Sequence, residues 1–223
     1  MKIQCDISKK ITNNIKEKMI NLNLIYDEII KIKFDITFRE KTNINQILSV
    51  PSLNVIEFIK NSLICFNEIK PVLLILKRYM QIQKLNSSFH GGISSFSLFL
   101  LLYAYLKSIK NLGFYTSNCS GKILYEFLEC YSNFNFSIFC IDVTSQNPFI
   151  LLRELNETGM LILEPFTQLN VAKSSFKIDE IKSCFFRAFN IINQYIINLN
   201  NNNDNSEIIN YNIINEIFKN RYN

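Results

Sequence analysis

Apolar positions crowd most densely between Lys70 and Lys107, in KPVLLILKRYMQIQKLNSSFHGGISSFSLFLLLYAYLK. Val72 to Leu76 is unbroken apolar, and the stretch from Phe96 to Leu106 is almost wholly so. Between them lies the polar hinge Asn86-Ser87-Ser88-Phe89-His90-Gly91-Gly92. The pattern predicts two core helices joined by that hinge, with the Val72–Leu76 turn buried on every side. Pro71 suits the first turn of a helix, where a missing N–H costs nothing. Gly91 and Gly92 admit backbone angles that other residues avoid, and Ser94-Ser95 offers an N-cap for the second helix. Lys77 places a cation at the edge of the buried turn. A cation opposite a glycine-serine helix start is a candidate anion site, because the first N–H groups of a helix point outward unpaired. The same pattern also describes a plain core hairpin. His90 reads as a surface loop residue.

The rest of the chain alternates less strongly. Met1–Ile7 reads as a short strand, Lys9–Asn23 as a polar helix or an insertion, and Ile29–Phe38 (IIKIKFDITF) as a strand by its two-residue period. Lys41–Ser52 is expected to be a loop broken by Pro51, followed by a helix over Leu53–Leu63. Ser108–Ser120 reads as a loop. Gly121–Tyr131 reads as an amphipathic helix with Ile123, Leu124, Phe127 and Leu128 inward. Phe136–Val143 and Met160–Leu163 are expected strands, Asn147–Glu157 fits neither period, and Ile178–Leu199 is a long helix. Asn200–Asn205 is a low-complexity linker, ahead of a weakly amphipathic helix over Ile208–Phe218. The fold class is α+β, mostly helical.

Composition narrows this little. The 223 residues are 48% hydrophobic, enough for one domain or two small ones. The net charge of +5 suits a nucleic-acid partner without requiring one. Six cysteines without CxxC spacing and a single histidine argue against a zinc site or a disulfide framework, and for a reducing compartment. The longest apolar run, Ile93 to Leu106, holds serines and falls short of the ~20 residues a membrane span needs. No signal peptide is read at Met1-Lys2-Ile3-Gln4, and no membrane partner is expected.

Three blocks, in order over roughly residues 30–195, carry a resemblance. The first is Lys-Pro-Val-Leu…Leu-Lys-x-Tyr…Leu-Asn-x-x-Phe-x-Gly-Gly-Ile-Ser-Ser-Phe-Ser-Leu. The second runs from Ser120-Gly121-Lys122-Ile123-Leu124 to Tyr131 and Phe134-Asn135-Phe136. The third is Glu164-Pro165-Phe166…Asn170-Val171-Ala172-Lys173-Ser174-Ser175-Phe176. Together they resemble the poly(A) polymerases of the DNA polymerase sigma type, the TRAMP-complex enzymes. The resemblance implies a helical central domain of a nucleotidyltransferase with a short remnant of the catalytic β-sheet. Residues 1–40 would be that remnant, 41–199 the central domain with a PAP-associated segment at 160–176, and 200–223 the linker and terminal helix. Lys33-Phe34-Asp35-Ile36-Thr37-Phe38 is similar to the family's strand with the third catalytic carboxylate, so Asp35 is the expected catalytic residue and metal ligand; Cys5-Asp6-Ile7-Ser8 is a rival match. By the same resemblance Lys77 and Ser95 contact a triphosphate and Phe96 replaces the tyrosine that stacks on the base. Glu164 replaces a PAP-associated aspartate, and Asn170 lies in the segment facing the base. Leu169 stands where uridylyl-transferring relatives have histidine, which favours adenine. Glu57 takes the place of a sugar-recognising asparagine, and Gln81 that of a second basic residue, which implies weaker phosphate binding.

Nucleotidyl transfer in that family uses two metal ions held by three carboxylates, an Asp-x-Asp pair after a Gly-Ser turn and the later strand's aspartate. This sequence contains neither the turn nor the pair, and one carboxylate is too few for two hard cations. The chain by itself is therefore expected to be inactive, as a fragment, a truncated gene product or a degenerate paralogue. Two readings stay open: an RNA 3′-end adenylyltransferase using ATP with Mg²⁺ or Mn²⁺, and a non-catalytic nucleotide- or protein-binding module of an RNA surveillance complex. The resemblance implies an RNA 3′ end, an RNA helicase and zinc-knuckle proteins as partners, and the nucleus or nucleolus as location.

Overall fold

The computed structural model describes residues 51–117, 119–152 and 159–201, the helix ends 51–53 and 199–201 by their backbone alone. The expected strands at Met1–Ile7 and Ile29–Phe38, the Lys9–Asn23 segment, Asp6, Asp35 and the terminal helix at Ile208–Phe218 lie outside these residues. What is described is mostly helical, with one small antiparallel sheet.

Helix α1 spans Pro51–Cys65. Pro51, expected to break a loop, instead opens this helix, where its fixed φ is already helical. Helix α2 spans Ile69–Ile82, and Val72 N–H donates to the Glu68 carbonyl at 3.1 Å, so Pro71 stands in the first turn as expected. The Val72–Leu76 turn is not buried all round. Ile69, Val72, Leu76, Tyr79 and Met80 form one buried stripe, while Leu74 is 59% exposed. At roughly 100° per residue, Leu74 points almost opposite Val72, and among the described elements α2 packs through the Val72 side.

The end of α2 is a Schellman turn: Leu85 N–H donates to the Met80 carbonyl and Lys84 N–H to that of Gln81, with Lys84 left-handed at φ 58°. The hinge then folds back on it. Ile93 N–H donates to the Leu85 carbonyl at 2.8 Å, a 3-10 turn forms over Ser88–His90, and Gly91 turns left-handed at φ 83°. A Cβ on Gly92 would run into the Leu85 carbonyl, so only glycine permits this approach.

Helix α3, Ser95–Asn111, is the core element. Ser97 to Leu102 and Ala104 to Leu106 are all buried, so the helix is enclosed on every side. It continues past the expected stop at Leu106, and a second Schellman turn ends it, with Phe114 N–H on the Ile109 carbonyl and Gly113 at φ 77°. Ser108, Lys110 and Asn111 read as a loop because they are polar, yet they are the last, solvent-facing turn of a helix whose stop signal is Gly113. Lys107 clamps that end, donating to the carbonyls of Val143 and Ser145, each at 2.8 Å.

Helix α4, Ser120–Asn133, buries Ile123, Leu124, Phe127 and Leu128, the face its sequence period predicts. Its Tyr131 hydroxyl donates to the Leu101 carbonyl at 2.8 Å, pinning α4 to α3. The expected Phe136–Val143 strand shrinks to β1, Phe139–Ile141, because Asn135 turns the chain first, accepting the Ser137 N–H on its side chain. β1 pairs antiparallel with β2, Phe149–Leu151, inside the segment that fitted neither period. Met160–Leu163 forms no strand and contributes single bridges, Ile162 to Ile141 and Leu163 to Asn170. Helix α5, Ile178–Asn201, lies along α4, with Phe185 against Phe127 at 5.6 Å and Phe189 against Tyr125 at 5.0 Å. Among the described residues no helix is long and apolar enough to cross a membrane.

Candidate functional site

Because α2 buries one stripe, its other face is free to build a site. Leu74, Lys77, Arg78 and Gln81 recur at the spacing that aligns residues on one helix side. They line a cleft of about 370 Å³ whose far wall includes Asn86 of the hinge and Ser95 at the start of α3. Met80, Ile93 and Leu98 also line it. Among the described residues the lining thus carries two cations and no carboxylate. Lys77 is exposed and makes no ion pair or hydrogen bond with another described residue. Arg78 Nη1 donates to Gln81 Oε1 at 3.1 Å.

The helix start across the cleft has its own polarity. Ser94 is the N-cap: its Oγ accepts the Ser97 N–H at 3.0 Å, and its carbonyl accepts the Leu98 N–H at 2.9 Å. Of the first N–H groups of α3, those of Ser95 and Phe96 meet no acceptor among the described residues, beside an exposed Ser95 hydroxyl. A helix N-terminus and two cations lining one cleft have the polarity that suits a polyanion.

Phe96 does not line this cleft. Its ring, half-buried, heads an aromatic row along α3: it stacks on Phe99 at 6.2 Å and 11°, and Phe99 stacks on Tyr103 at 6.2 Å and 25°. Phe58 of α1 meets Tyr103 edge-on at 5.0 Å and Phe166 at 6.3 Å. Phe58, Tyr103 and Phe166 share a second cleft of about 300 Å³ with Glu57, Asn54 and Asn61. Glu57 therefore lines an aromatic-walled groove that shares no described residue with the Lys77 cleft.

Glu164 and Asn170 organise the backbone of their own segment. Glu164 is 7% exposed, and its Oε2 accepts the N–H groups of Phe166, at 3.0 Å, and of Thr167. Its Oε1 is buried with no hydrogen-bond partner among the described residues. Asn170 Oδ1 accepts from Ile162 and Ala172 N–H, and its Nδ2 donates to the Met160 carbonyl at 3.1 Å. That segment reaches α3 through Ser97 Oγ, which donates to the Val171 carbonyl at 3.3 Å. The structure thus brings Lys77 and Ser95 together, sets Phe96 on the adjoining face of the same helix start, and keeps Glu164 and Asn170 in the 160–172 turn behind it. Asp35, the expected metal ligand, lies outside the described residues. Among those residues no cluster of His, Cys, Asp or Glu could hold a metal ion, so by themselves they do not fit a metal centre.

Arg78 and Asn86 are cleft residues the sequence reading passed over. The signal for Arg78 was present, since Leu74, Lys77, Arg78 and Gln81 recur at helical spacing on one face, opposite the apolar stripe.

No protein-family model matches the chain. The poly(A) RNA polymerase gld-4 of Caenorhabditis elegans is 28% identical over 181 residues, covering 74% of this chain and 20% of its own length. The inactive non-canonical poly(A) RNA polymerase protein Trf4-2 of Drosophila melanogaster is 27% identical, covering 73% of this chain and 41% of its own length. The poly(A) RNA polymerase cid14 of Schizosaccharomyces pombe is 25% identical, over 74% of this chain and 25% of its own. The chain therefore spans between a fifth and two fifths of the length of these curated relatives. In structure it is similar to the polymerase core of TRAMP, an RNA surveillance complex, with a TM-score of 0.63 at 20% identity over 74% of this chain and 55% of that one. It is also similar to the Cid1 poly(U) polymerase, with a TM-score of 0.53 at 18% identity over 69% of this chain and 57% of that one. The helices thus stand on a known polymerase fold, and by sequence the chain is similar to the poly(A) RNA polymerases of the gld-4, cid14 and Trf4 type.

Proposed function

We propose that the described residues are the nucleotide-holding domain of an RNA 3′-end adenylyltransferase. One observation carries this reading: Lys77 and Ser95, on different helices, converge on one cleft whose described lining holds two cations and no carboxylate. In the reaction the 3′-hydroxyl oxygen of RNA attacks the α-phosphorus of ATP and pyrophosphate leaves. Lys77 and the outward N–H groups at Ser95 and Phe96 hold the triphosphate and offset its charge. The Phe96 ring, on the next face of the helix start, stacks on adenine. The carboxylates and the Mg²⁺ or Mn²⁺ that such chemistry uses would come from catalytic strands, with Asp35 as one ligand. The partners would be an RNA 3′ end and the helicase and zinc-knuckle proteins of a surveillance complex, in the nucleus. Titration of the full chain with ATP is the test. Saturable binding that Lys77→Ala weakens about tenfold or more, the worth of a charge-assisted hydrogen bond, is the expected result. ATP binding unchanged in that variant would defeat the reading.

A second reading, a nucleotide- or protein-binding module without catalysis, has its own support. The sequence lacks an Asp-x-Asp pair, and the Drosophila relative carries the name of an inactive polymerase. Both readings use the same cleft. They part on primer extension.

A further inference from the structure

The cleft has one cation where the resemblance leads one to expect it, Lys77, and a neutral Gln81 one turn later where a second base was expected. We propose that Arg78 supplies that second cation, with Gln81 acting as the acceptor that holds its guanidinium over the cleft. The inference rests on the reading of this cleft as a phosphate site.

Arg78 leaves the helix about 100° from Lys77, and its guanidinium turns to Gln81, which stands one turn above Lys77 on the same face. The hydrogen bond, Arg78 Nη1 to Gln81 Oε1 at 3.1 Å, marks that direction. Both residues line the cleft with Lys77 and Ser95. A guanidinium has five N–H donors, and the Gln81 bond occupies one. No salt bridge to Arg78 occurs among the described residues, whose ion pairs are Lys122–Glu126 and Lys177–Glu180. The remaining donors form a planar fork, the geometry that grips phosphate oxygens in pairs. A surface pair three residues apart on a helix is worth little by itself. What distinguishes this one is the cleft both side chains enter, with no carboxylate among its described lining residues.

Inorganic tripolyphosphate, titrated into the full 223-residue chain, reads the phosphate contacts without the base. Arg78→Ala is expected to weaken binding roughly tenfold, one charge-assisted contact, and to flatten its salt dependence. Arg78→Lys should recover part of the loss, having charge without the fork. The double variant R78A/Q81R should restore binding, by moving the cation one turn along the same face. The melting temperature should stay unchanged in all three, since both positions are exposed. If Lys77→Ala weakens binding and Arg78→Ala does not, the inference is overturned and the phosphate cleft stands. A drop in melting temperature that accounts for the loss in Arg78→Ala, unrelieved in R78A/Q81R, also overturns it. If neither the unaltered chain binds nor Lys77→Ala changes anything, the cleft reading itself fails and takes the inference with it.

Discussion

Phe96 and Phe99 sit one turn apart on α3 and show how position separates two aromatic roles. Phe99 is 3% exposed and packs between Phe96, Tyr103 and Phe58. Phe99→Ala should therefore lower unfolding stability by about 3–5 kcal/mol, read by urea melts. Phe96 is half-buried at the helix start. Phe96→Ala should weaken ATP binding about 5- to 150-fold, the worth of one stacked base, and Phe96→Tyr should bind close to normally. Equal losses of stability and no change in ATP affinity would mean that both rings are core. Tyr79 makes a different kind of contact. Its hydroxyl donates to the Cys184 carbonyl at 2.8 Å, tying α2 to α5, and burial, with the Cys184 charge, pushes its pKa up to about 12. The folded value exceeds the unfolded one of about 10. Its contribution is therefore complete below about pH 10 and lost as pH rises towards about 12. The stability gap between the unaltered chain and Tyr79→Phe should be constant from pH 7 to 9 and close at higher pH; a gap that stays constant to pH 12 would contradict the burial.

Among the elements, the two Schellman turns form an informative pair. Gly113 ends α3 with the residue that left-handed geometry favours, whereas Lys84 ends α2 at φ 58° with a Cβ in place. Lys84→Gly should raise stability by about 0.5–1 kcal/mol, relief of strain less the added freedom of the unfolded chain, measured by thermal unfolding. Gly92→Ala should do the reverse, strongly, because its Cβ meets the fixed Leu85 carbonyl. The hinge it distorts carries Asn86 on one side and leads into Ser95 on the other. ATP affinity should therefore fall with stability in Gly92→Ala and stay level in Lys84→Gly.

For the whole molecule, the prediction concerns activity. Incubated with labelled ATP, Mg²⁺ or Mn²⁺ and an oligo(A) primer, the chain should not extend the primer, since its sequence holds no Asp-x-Asp pair. Steady extension would refute this. Joined to catalytic strands that carry such a pair, it should become active, and Asp35→Ala should then abolish activity while Asp6→Ala should not. Loss in the Asp6 variant alone would reassign the third carboxylate.

Much was legible in the residues themselves. Apolar periodicity located four of the five described helices to within a few residues, because a helix face must be buried and its period is written in side-chain type. It also marked Ser94-Ser95 as a helix start and Gly91-Gly92 as a hinge, since capping and left-handed backbone are local properties. Lys77 and the Ser94-Ser95 helix start were named from the hairpin pattern, and their contact with a triphosphate from the resemblance. The three-dimensional packing decided the rest. Whether Leu74 is core or cleft wall depends on which side of α2 has a neighbour, and nothing between Val72 and Leu76 records that. Whether Phe136–Val143 makes a strand depends on the partner it finds, and only Phe139–Ile141 meets one. Arg78 became a candidate ligand once the α2 face, the hinge and the α3 start enclosed a common space, a relation among residues up to 24 positions apart, from Leu74 to Leu98. Local chemistry is read in one dimension; which charges share a cleft is settled by the long-range contacts that close it.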